Sequence, residues 1–193
     1  MIRRVLAAVG VLAVVVGVAL AIVVGPDDRL HAGPLAVDHR GVAVVTTPGV
    51  VDWVGLELEV LARVPDERPI LVGLANSVDL ESYLASVRRL EVTRVTDLGE
   101  GALETRSLTG EEFLPGSPVA ADWWTASDAG LGTARIATTL PDETVSLAVL
   151  AIGDATLDGL EVDLAWGVRW VFVRALGLAA LGVGLVLWSR RHA

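Results

Sequence analysis

Four acidic residues close together near the C-terminal end are the first candidates for a chemical site. In the segment DATLDGLEVD, Asp154 and Asp158 flank a turn, while Glu161 and Asp163 alternate along a strand and so share one face. Carboxylate oxygens suit Ca²⁺, but this spacing does not match an EF-hand loop, which places its ligands at alternating positions and ends with Glu. We therefore favour a solvated hairpin turn, keep the four acids as weak candidates for a metal site, and predict no cofactor.

A catalytic site has little support in the sequence. The chain has no Cys, which excludes thiol chemistry, disulfides and Cys-ligated metals. A nucleophilic Ser needs a base beside it, and the arrangement that the chain offers would combine a Ser with His39 and Asp38. We instead expect His31 and His39 to be solvated residues of a connector. Choosing two of the many acids for glycosidic chemistry would be arbitrary, so we predict no catalytic residue and no enzyme.

Two adjacent tryptophans, Trp123 and Trp124, are candidates for an interaction site. Neighbouring residues on a strand point to opposite faces, so we expect one of them to anchor the core and the other to lie outside it. An exposed ring there would stack on a sugar, contact a partner protein or rest against lipid headgroups. We favour packing of this second ring beneath the loop of residues 113–118.

The charges that surround these candidates are unevenly distributed. All twenty-four acidic residues lie between Asp27 and Asp163 together with nine Arg, a balance of −15, and the whole chain has a net charge of −9. The other six Arg lie at positions 3, 4, 169, 174, 190 and 191. An acidic segment of this kind lacks the basic footprint that nucleic-acid binding requires, so nucleic acid is excluded as a partner.

Two apolar segments predict transmembrane helices at 5–24 and 168–188. The first is a run of twenty uncharged residues after Arg3 and Arg4, and the second is closed by Arg190 and Arg191. The triplet at 19–21, Ala-Leu-Ala, also fits a signal-peptide cleavage site. Because Ile, Val and Val continue the apolar run beyond that triplet, we favour a retained span, an uncleaved signal anchor. The residues expected at the membrane interface are Trp166, Arg169, Trp170, Arg174, Trp188, Arg190 and Arg191, with Arg169 and Arg174 extending toward the headgroups.

The positive-inside rule then orients the chain. We predict a two-pass protein of the plasma membrane with both termini in the cytoplasm and its central domain outside. The predicted segments are a cytoplasmic stub at 1–4, a juxtamembrane connector at 25–41, an extracytoplasmic β-sandwich domain at 42–166 and a cytoplasmic basic tail at 189–193. The lipid bilayer is the expected partner, with another membrane or envelope protein as a second.

Hydrophobic periodicity assigns the central domain to the mainly β class. Apolar or alternating segments predict strands at 42–45, 56–64, 70–75, 90–98, 102–108, 121–127, 133–140, 144–152 and 160–166. Between them, apolar residues at helical spacing predict a short helix over 78–88 with Asn76 or Ser77 as its N-cap. Short strands separated by turn residues are typical of an antiparallel β-sandwich. We therefore expect a jelly-roll-like sandwich with one short helix, flanked by the two transmembrane helices.

The stretch from Arg68 to Val95 resembles a segment shared by a family of uncharacterised membrane-anchored envelope proteins from high-GC Gram-positive bacteria. The matching residues are Val72, Gly73, Val78, Asp79, Tyr83, Leu84, Val87, Val92, Thr93 and Val95, and a second match covers residues 124–136. The chain departs from the family pattern at Ser86 and in the turn AIGDATLDG. The resemblance implies two spans and an external β-rich domain, and it implies no activity.

We therefore expect a non-enzymatic structural, interaction or accessory module of the cell envelope. The alternative is an extracytoplasmic module that binds a carbohydrate or a cation, or an enzyme that uses acidic residues. A deep pocket in which two or more acids converge beside a Trp would favour the alternative, whereas a smooth sandwich surface would favour the first hypothesis.

Overall fold

The structure of the chain is a computed structural model that describes residues 2–51, 54–96, 103–167 and 170–191, with side chains from 5 to 189 within those ranges. The chain divides into two compact units. A helical unit combines Met1–Leu30 with Gly167–Ala193, and a β unit comprises His31–Trp166.

The helical unit contains two long apolar helices, α1 (Ile2–Val24) and α3 (Val171–Arg191). Their apolar stretches, Val5–Val24 and Val171–Ser189, are 20 and 19 residues long, and both are long and apolar enough to cross a membrane. Only 17% and 11% of the residues in these stretches are buried, which distinguishes them from the core helices of a soluble protein. α3 begins three residues later than predicted, after Trp170, whose φ of +67° is not helical.

Glycines allow the two helices to approach each other closely. A Cβ placed on Gly17 would lie 2.6 Å from the carbonyl oxygen of Ala175 and 2.7 Å from the backbone nitrogen of Ala179. A Cβ on Gly10 would lie 2.8 Å from the carbonyl oxygen of Gly182, and one on Gly182 would lie 2.5 Å from that of Gly10. Small residues that let two backbones meet are the usual basis of helix pairing in membranes. The facing surfaces of α1 and α3 are therefore complementary in shape.

Asp28 joins the two helices at one end. Its carboxylate accepts hydrogen bonds from the backbone N–H of Phe172, at 2.7 Å, and of Trp170, at 3.1 Å. The first N–H groups of a helix have no partner within the helix, and an acidic side chain there also complements the helix dipole. Asp28 therefore caps α3 from the turn that follows α1.

The described part of the β unit contains ten strands and one α-helix. The strands are β1 (Arg29–Val37), β2 (Ala43–Thr46), β3 (Glu57–Arg63), β4 (Pro69–Asn76), β5 (Arg89–Val95), β6 (Leu103–Leu108), β7 (Trp124–Leu131), β8 (Thr133–Thr139), β9 (Val145–Ala151) and β10 (Leu160–Gly167), and the helix is α2 (Ser77–Tyr83). They form a four-stranded sheet in the order β1-β10-β3-β8 and a six-stranded sheet in the order β6-β5-β2-β9-β4-β7. The mainly β class and the two flanking apolar helices are thus as predicted.

The six-stranded sheet is mixed rather than purely antiparallel. β2 pairs with β9 in the antiparallel sense and with β5 in the parallel sense, where Val44 lies opposite Leu90. A parallel pair needs a long crossover connection, and here the chain passes through β3, β4 and α2 between the two strands. The prediction of antiparallel pairing throughout is therefore wrong at this pair.

One hydrophobic core takes side chains from both sheets. β3 contributes alternate residues, Leu58, Val60 and Ala62, which are buried while Glu57 is exposed. β4 and β9 are mostly apolar and are buried along their length apart from the two ends of β4, as expected for strands covered on both faces.

Two predicted boundaries differ from the structure. The segment 25–41 is not a connector throughout, because β1 occupies Arg29–Val37 and buries Ala32, Leu35 and Val37. Gly33 and Pro34 interrupt its apolar pattern, so its composition resembled that of a turn.

The helix α2 is also shorter than the predicted 78–88. Asn76 caps it as expected, by accepting a hydrogen bond from the N–H of Val78 at 3.0 Å. The chain leaves the helix after Tyr83 because Val87, which is fully buried, pairs instead with the backbone of Glu111.

Candidate functional site

The four acids proposed for a metal site are not brought together. Asp154 and Glu161 are exposed, the carboxylate of Asp163 pairs with Arg63, and that of Asp158 lies 3.7 Å from Nε of Arg40. Among the residues that the structure describes, no group of three or more His, Asp or Glu side chains is placed to hold a metal ion.

Arg68 organises the turn that carries two of these acids. Its Nη1 donates to the carbonyl oxygen and the hydroxyl of Thr156, both at 2.8 Å, and its Nη2 donates to the carbonyl oxygen of Asp158. Its Nε donates to the carbonyl oxygen of Pro65 at 3.1 Å. A half-buried arginine therefore stabilises this turn.

His39 is buried, which corrects the expectation of a solvated side chain. It is 9% exposed, and within the described residues its Nε2 has no hydrogen-bond partner, so no Ser–His pair forms. Burial lowers the pKa of His39, the positive charge of Arg88 lowers it further, and Asp38 opposes both effects. His31 is exposed on β1.

Trp123 and Trp124 lie together instead of on opposite faces. Trp123 precedes β7 and so does not follow its pleat, and the two ring centroids are 4.2 Å apart. Tyr83 lies 5.4 Å from Trp123 and donates its hydroxyl hydrogen to the carbonyl oxygen of Gly116 at 2.6 Å, while Nε1 of Trp124 donates to that of Pro118 at 2.9 Å. Both tryptophans are half-buried beneath the loop of residues 113–118.

The predicted membrane-interface residues have different environments. Trp170 and Trp188 are 60% and 54% exposed, and Arg174 is exposed in the first turn of α3. Trp166 is 3% exposed and belongs to the core of the β unit, which corrects its assignment to the interface. Arg169 lies outside the described residues, as do the side chains of Arg190 and Arg191.

A pocket that sequence reasoning missed is the strongest candidate site. We call it the polar pocket, and its volume is about 170 Å³. It is lined by Val45, Thr46, Thr47, Pro48, Ser77, Leu80, Glu81, Leu84, Arg89, Glu91, Arg106 and Ser146. These residues come from α2, from β2 and the turn after it, and from β5, β6 and β9.

The polar pocket collects most of the buried polar side chains of the β unit. Of the five buried polar or charged residues described there, Thr46, Ser77, Glu91 and Ser146 line it, and His39 does not. The hydroxyls of Ser77 and Ser146 are 2.8 Å apart and hydrogen-bonded, and the hydroxyl oxygen of Thr46 accepts from the N–H of Leu147 at 2.9 Å. Burying a polar group costs free energy unless it is hydrogen-bonded, so these hydrogen bonds offset the cost of burying the polar side chains of the pocket.

Glu91 is the charged centre of the pocket. Its Oε1 accepts from Arg89, with Nε at 3.2 Å and Nη2 at 3.1 Å, and its Oε2 accepts from Arg106, which lies directly opposite on β6. Arg89 also donates to the carbonyl oxygen of Leu84, at 2.5 Å, just beyond the end of α2. A buried carboxylate is stable only when paired, and here both of its oxygens are occupied by guanidinium groups.

The rim of the pocket carries charges of both signs. Glu81 is exposed on α2, and the side chain of Arg106 is 63% exposed. With Arg89 and Glu91 the lining has two positive and two negative side chains. The lining residues include two serines, Ser77 and Ser146, and no His that could act as a base for them.

One sequence signal for the pocket was present. Arg89 and Glu91 occupy alternate positions on a strand, with an apolar residue between them. Such a pattern usually indicates a solvated face, so by itself it does not indicate a pocket.

Comparison with known proteins does not change this description. No protein-family model, curated protein or solved structure matches the chain. The functional conclusion therefore depends on the geometry described above.

Proposed function

We propose that this chain is a two-pass protein of the cell envelope that retains α1, displays the β unit outside the plasma membrane and acts as a non-enzymatic interaction module. The observation that supports this proposal best is the glycine-mediated fit of α1 to α3. It agrees with the resemblance to membrane-anchored envelope proteins, which stays a prediction.

Retention of α1 follows from what its loss would expose. Cleavage after Ala21 would remove Gly10 and Gly17 and leave the backbone of α3 at Gly182 without the surface that covers it. A signal peptide that is discarded has no need of close contact with a later helix. The fit is therefore better explained by a permanent helix pair.

The orientation follows from the chain order and the arginines. The β unit lies between the end of α1 and the start of α3, so both helices meet it on the same side of the bilayer. Arg3 and Arg4 lie at the start of α1, before its apolar stretch, and Arg190 and Arg191 end α3, which supports a cytoplasmic location for the opposite side. We interpret the two sheets that share one core as a β-sandwich.

A ligand-binding module is the second candidate, and the polar pocket favours it. For such a module we expected two or more acids beside a Trp; Glu81 and Glu91 line the pocket, whereas no Trp does. A ligand-binding function is compatible with the proposed role as an interaction module, since the partner of the β unit would then be a small molecule.

Two measurements test the topology. The intact mass of the protein purified from membranes should include residues 2–24, and reporter fusions at both termini should be active only in the cytoplasm. A mature N-terminus at Ile22, or an external terminus, would refute the two-pass arrangement.

The interaction role is tested by purification from native membranes in mild detergent. We expect a stoichiometric partner, and its recovery should fall when the acidic β unit is screened by salt. A protein recovered alone and monomeric would count against the interaction role.

A further inference from the structure

We propose that the polar pocket binds a small zwitterion of the α-amino acid class, with the ligand's ammonium group at Glu81 and its carboxylate at Arg106. This inference rests on the proposed role of the β unit as an interaction module, and it names the class of ligand.

The volume limits the size of the ligand. Water occupies about 30 Å³ per molecule in the liquid, so 170 Å³ has room for roughly six waters or a ligand with a similar number of heavy atoms. Pockets for drug-sized ligands are larger, about 300–1,000 Å³. A free amino acid with a small side chain fits this space.

The charges select a ligand that carries both signs. A simple anion would approach Arg106 but would also meet the carboxylate of Glu91, which already pairs with that guanidinium. A simple cation would approach Glu81 and meet the two arginines of the same lining. A zwitterion satisfies both rim charges at once, and like-charge repulsion disfavours the others.

Arg106 is suited to hold the carboxylate. Its side chain is 63% exposed, compared with 13% for Arg89, which is held by Glu91 and by the carbonyl oxygen of Leu84. A guanidinium group presents five donors in a planar fork that matches a carboxylate. One edge can remain on Glu91 while another receives the ligand.

The floor of the pocket offers hydroxyl donors for the rest of the ligand. In the Ser77–Ser146 pair one hydroxyl donates to the other, which leaves the hydrogen of the accepting hydroxyl for a ligand. Thr46 uses its oxygen as an acceptor for Leu147 and likewise retains its hydrogen as a donor. Leu80 and Leu84 line the pocket with apolar surface, which suits the methylene carbons of a small side chain.

A sugar is a weaker fit for the same hydroxyl groups. The residues that line the pocket include no aromatic side chain, so a pyranose ring would have no flat apolar surface to stack on. The tryptophans that could supply one, Trp123 and Trp124, do not belong to the lining.

The test is isothermal titration calorimetry of the full chain in nanodiscs with L-serine, glycine and L-alanine as probes. Acetate, methylammonium, inorganic phosphate and glucose are the comparators. We expect each to bind at least about tenfold more weakly than L-serine, because acetate, methylammonium and phosphate each lack one of the two charged contacts and glucose lacks both. The variants Arg106→Gln and Glu81→Gln should each weaken binding of L-serine by about tenfold or more. The matched controls Arg94→Gln and Glu112→Gln, at exposed residues outside the pocket, should leave it unchanged.

Several results would overturn the assignment. Binding of phosphate or acetate as tight as that of L-serine would indicate an anion site, binding of glucose would indicate a polyol site, and absence of saturable binding by all three amino acids would remove the ligand class altogether. Tryptophan fluorescence of each variant checks that it is folded. The reporter fusions report on topology independently, so a failed titration with cytoplasmic termini would reject the ligand and not the membrane arrangement.

Discussion

The close approach of α1 to α3 predicts that Gly17→Ala destabilises the helical unit, although alanine is the better helix former. A methyl group at Gly17 would lie 2.6 Å from the carbonyl oxygen of Ala175, and ordinary contact begins at 3.4 Å, so the helices must separate by about 0.8 Å. A gap of this size forfeits about a quarter to a half of the dispersion energy of each contact along the seam. Overpacking typically costs about 1–3 kcal/mol, which exceeds the gain of about 1 kcal/mol in helix propensity.

The control is Gly177→Ala on α3, where a Cβ would have no neighbour within 4 Å. It provides the same chemical change and the same gain in propensity without the steric conflict. We would measure reversible unfolding of the full chain in mild detergent by titration with sodium dodecyl sulfate, followed by circular dichroism. Because the gain in propensity is common to both variants, Gly17→Ala should lower the free energy of unfolding by about 1–3 kcal/mol relative to Gly177→Ala. Equal stabilities would refute the glycine-mediated pairing, and with it the main support for a retained α1.

Three further predictions concern other parts of the chain. Asp28→Ala removes both hydrogen bonds to the start of α3 and should cost about 0.5–2 kcal/mol in the same titration, whereas an unchanged midpoint would contradict the capping role. Burial and Arg88 lower the pKa of His39 from 6.5, so the imidazole of the unfolded chain is protonated at a higher pH than that of the folded protein. The free energy of unfolding should therefore have its full value above about pH 6.5 and decline as the pH falls below it. His39→Gln should flatten that part of the curve of unfolding free energy against pH, and an unaltered slope would show that other groups cause it. Gly73→Val would place a side chain where the indole of Trp124 lies and should shift the tryptophan emission to longer wavelength, while an unchanged spectrum would contradict this packing.

Strands with a complete local pattern could be predicted from the sequence. β3 alternates Leu58 and Val60 with glutamates, and β4 and β9 are mostly apolar runs, interrupted in β9 by Ser146. A short local pattern is therefore enough to assign each of these strands. β1 was missed because Gly33 and Pro34 break its alternation and only the pairing with β10 reveals it. Where the local pattern is incomplete, pairing with a distant strand determines whether the segment becomes a strand.

The polar pocket could not be predicted for a related reason. Ser77 on α2 meets Ser146 on β9, and Glu91 on β5 meets Arg106 on β6, so no single segment contains a motif. Nothing local in the sequence separates Glu91 from a glutamate on a solvated face, because the pocket that contains it is lined by residues from α2, β2, β5, β6 and β9. The weak metal candidates Asp154 and Asp158 show the converse, because closeness in sequence does not place three acidic side chains around one point among the described residues.

The pairing of α1 with α3 also has a consequence for biosynthesis. Gly10 leaves the ribosome long before Gly182, and at ~5–20 residues per second roughly ten to thirty seconds of translation separate them. During that interval the glycine face of α1 has no partner from its own chain. In the same way β1 has no pairing strand until β10, its neighbour in the sheet, has been synthesised. Both units are therefore closed by the last segments to be made, so a chain truncated before residue 160 would lack the strand that completes one unit and the helix that completes the other.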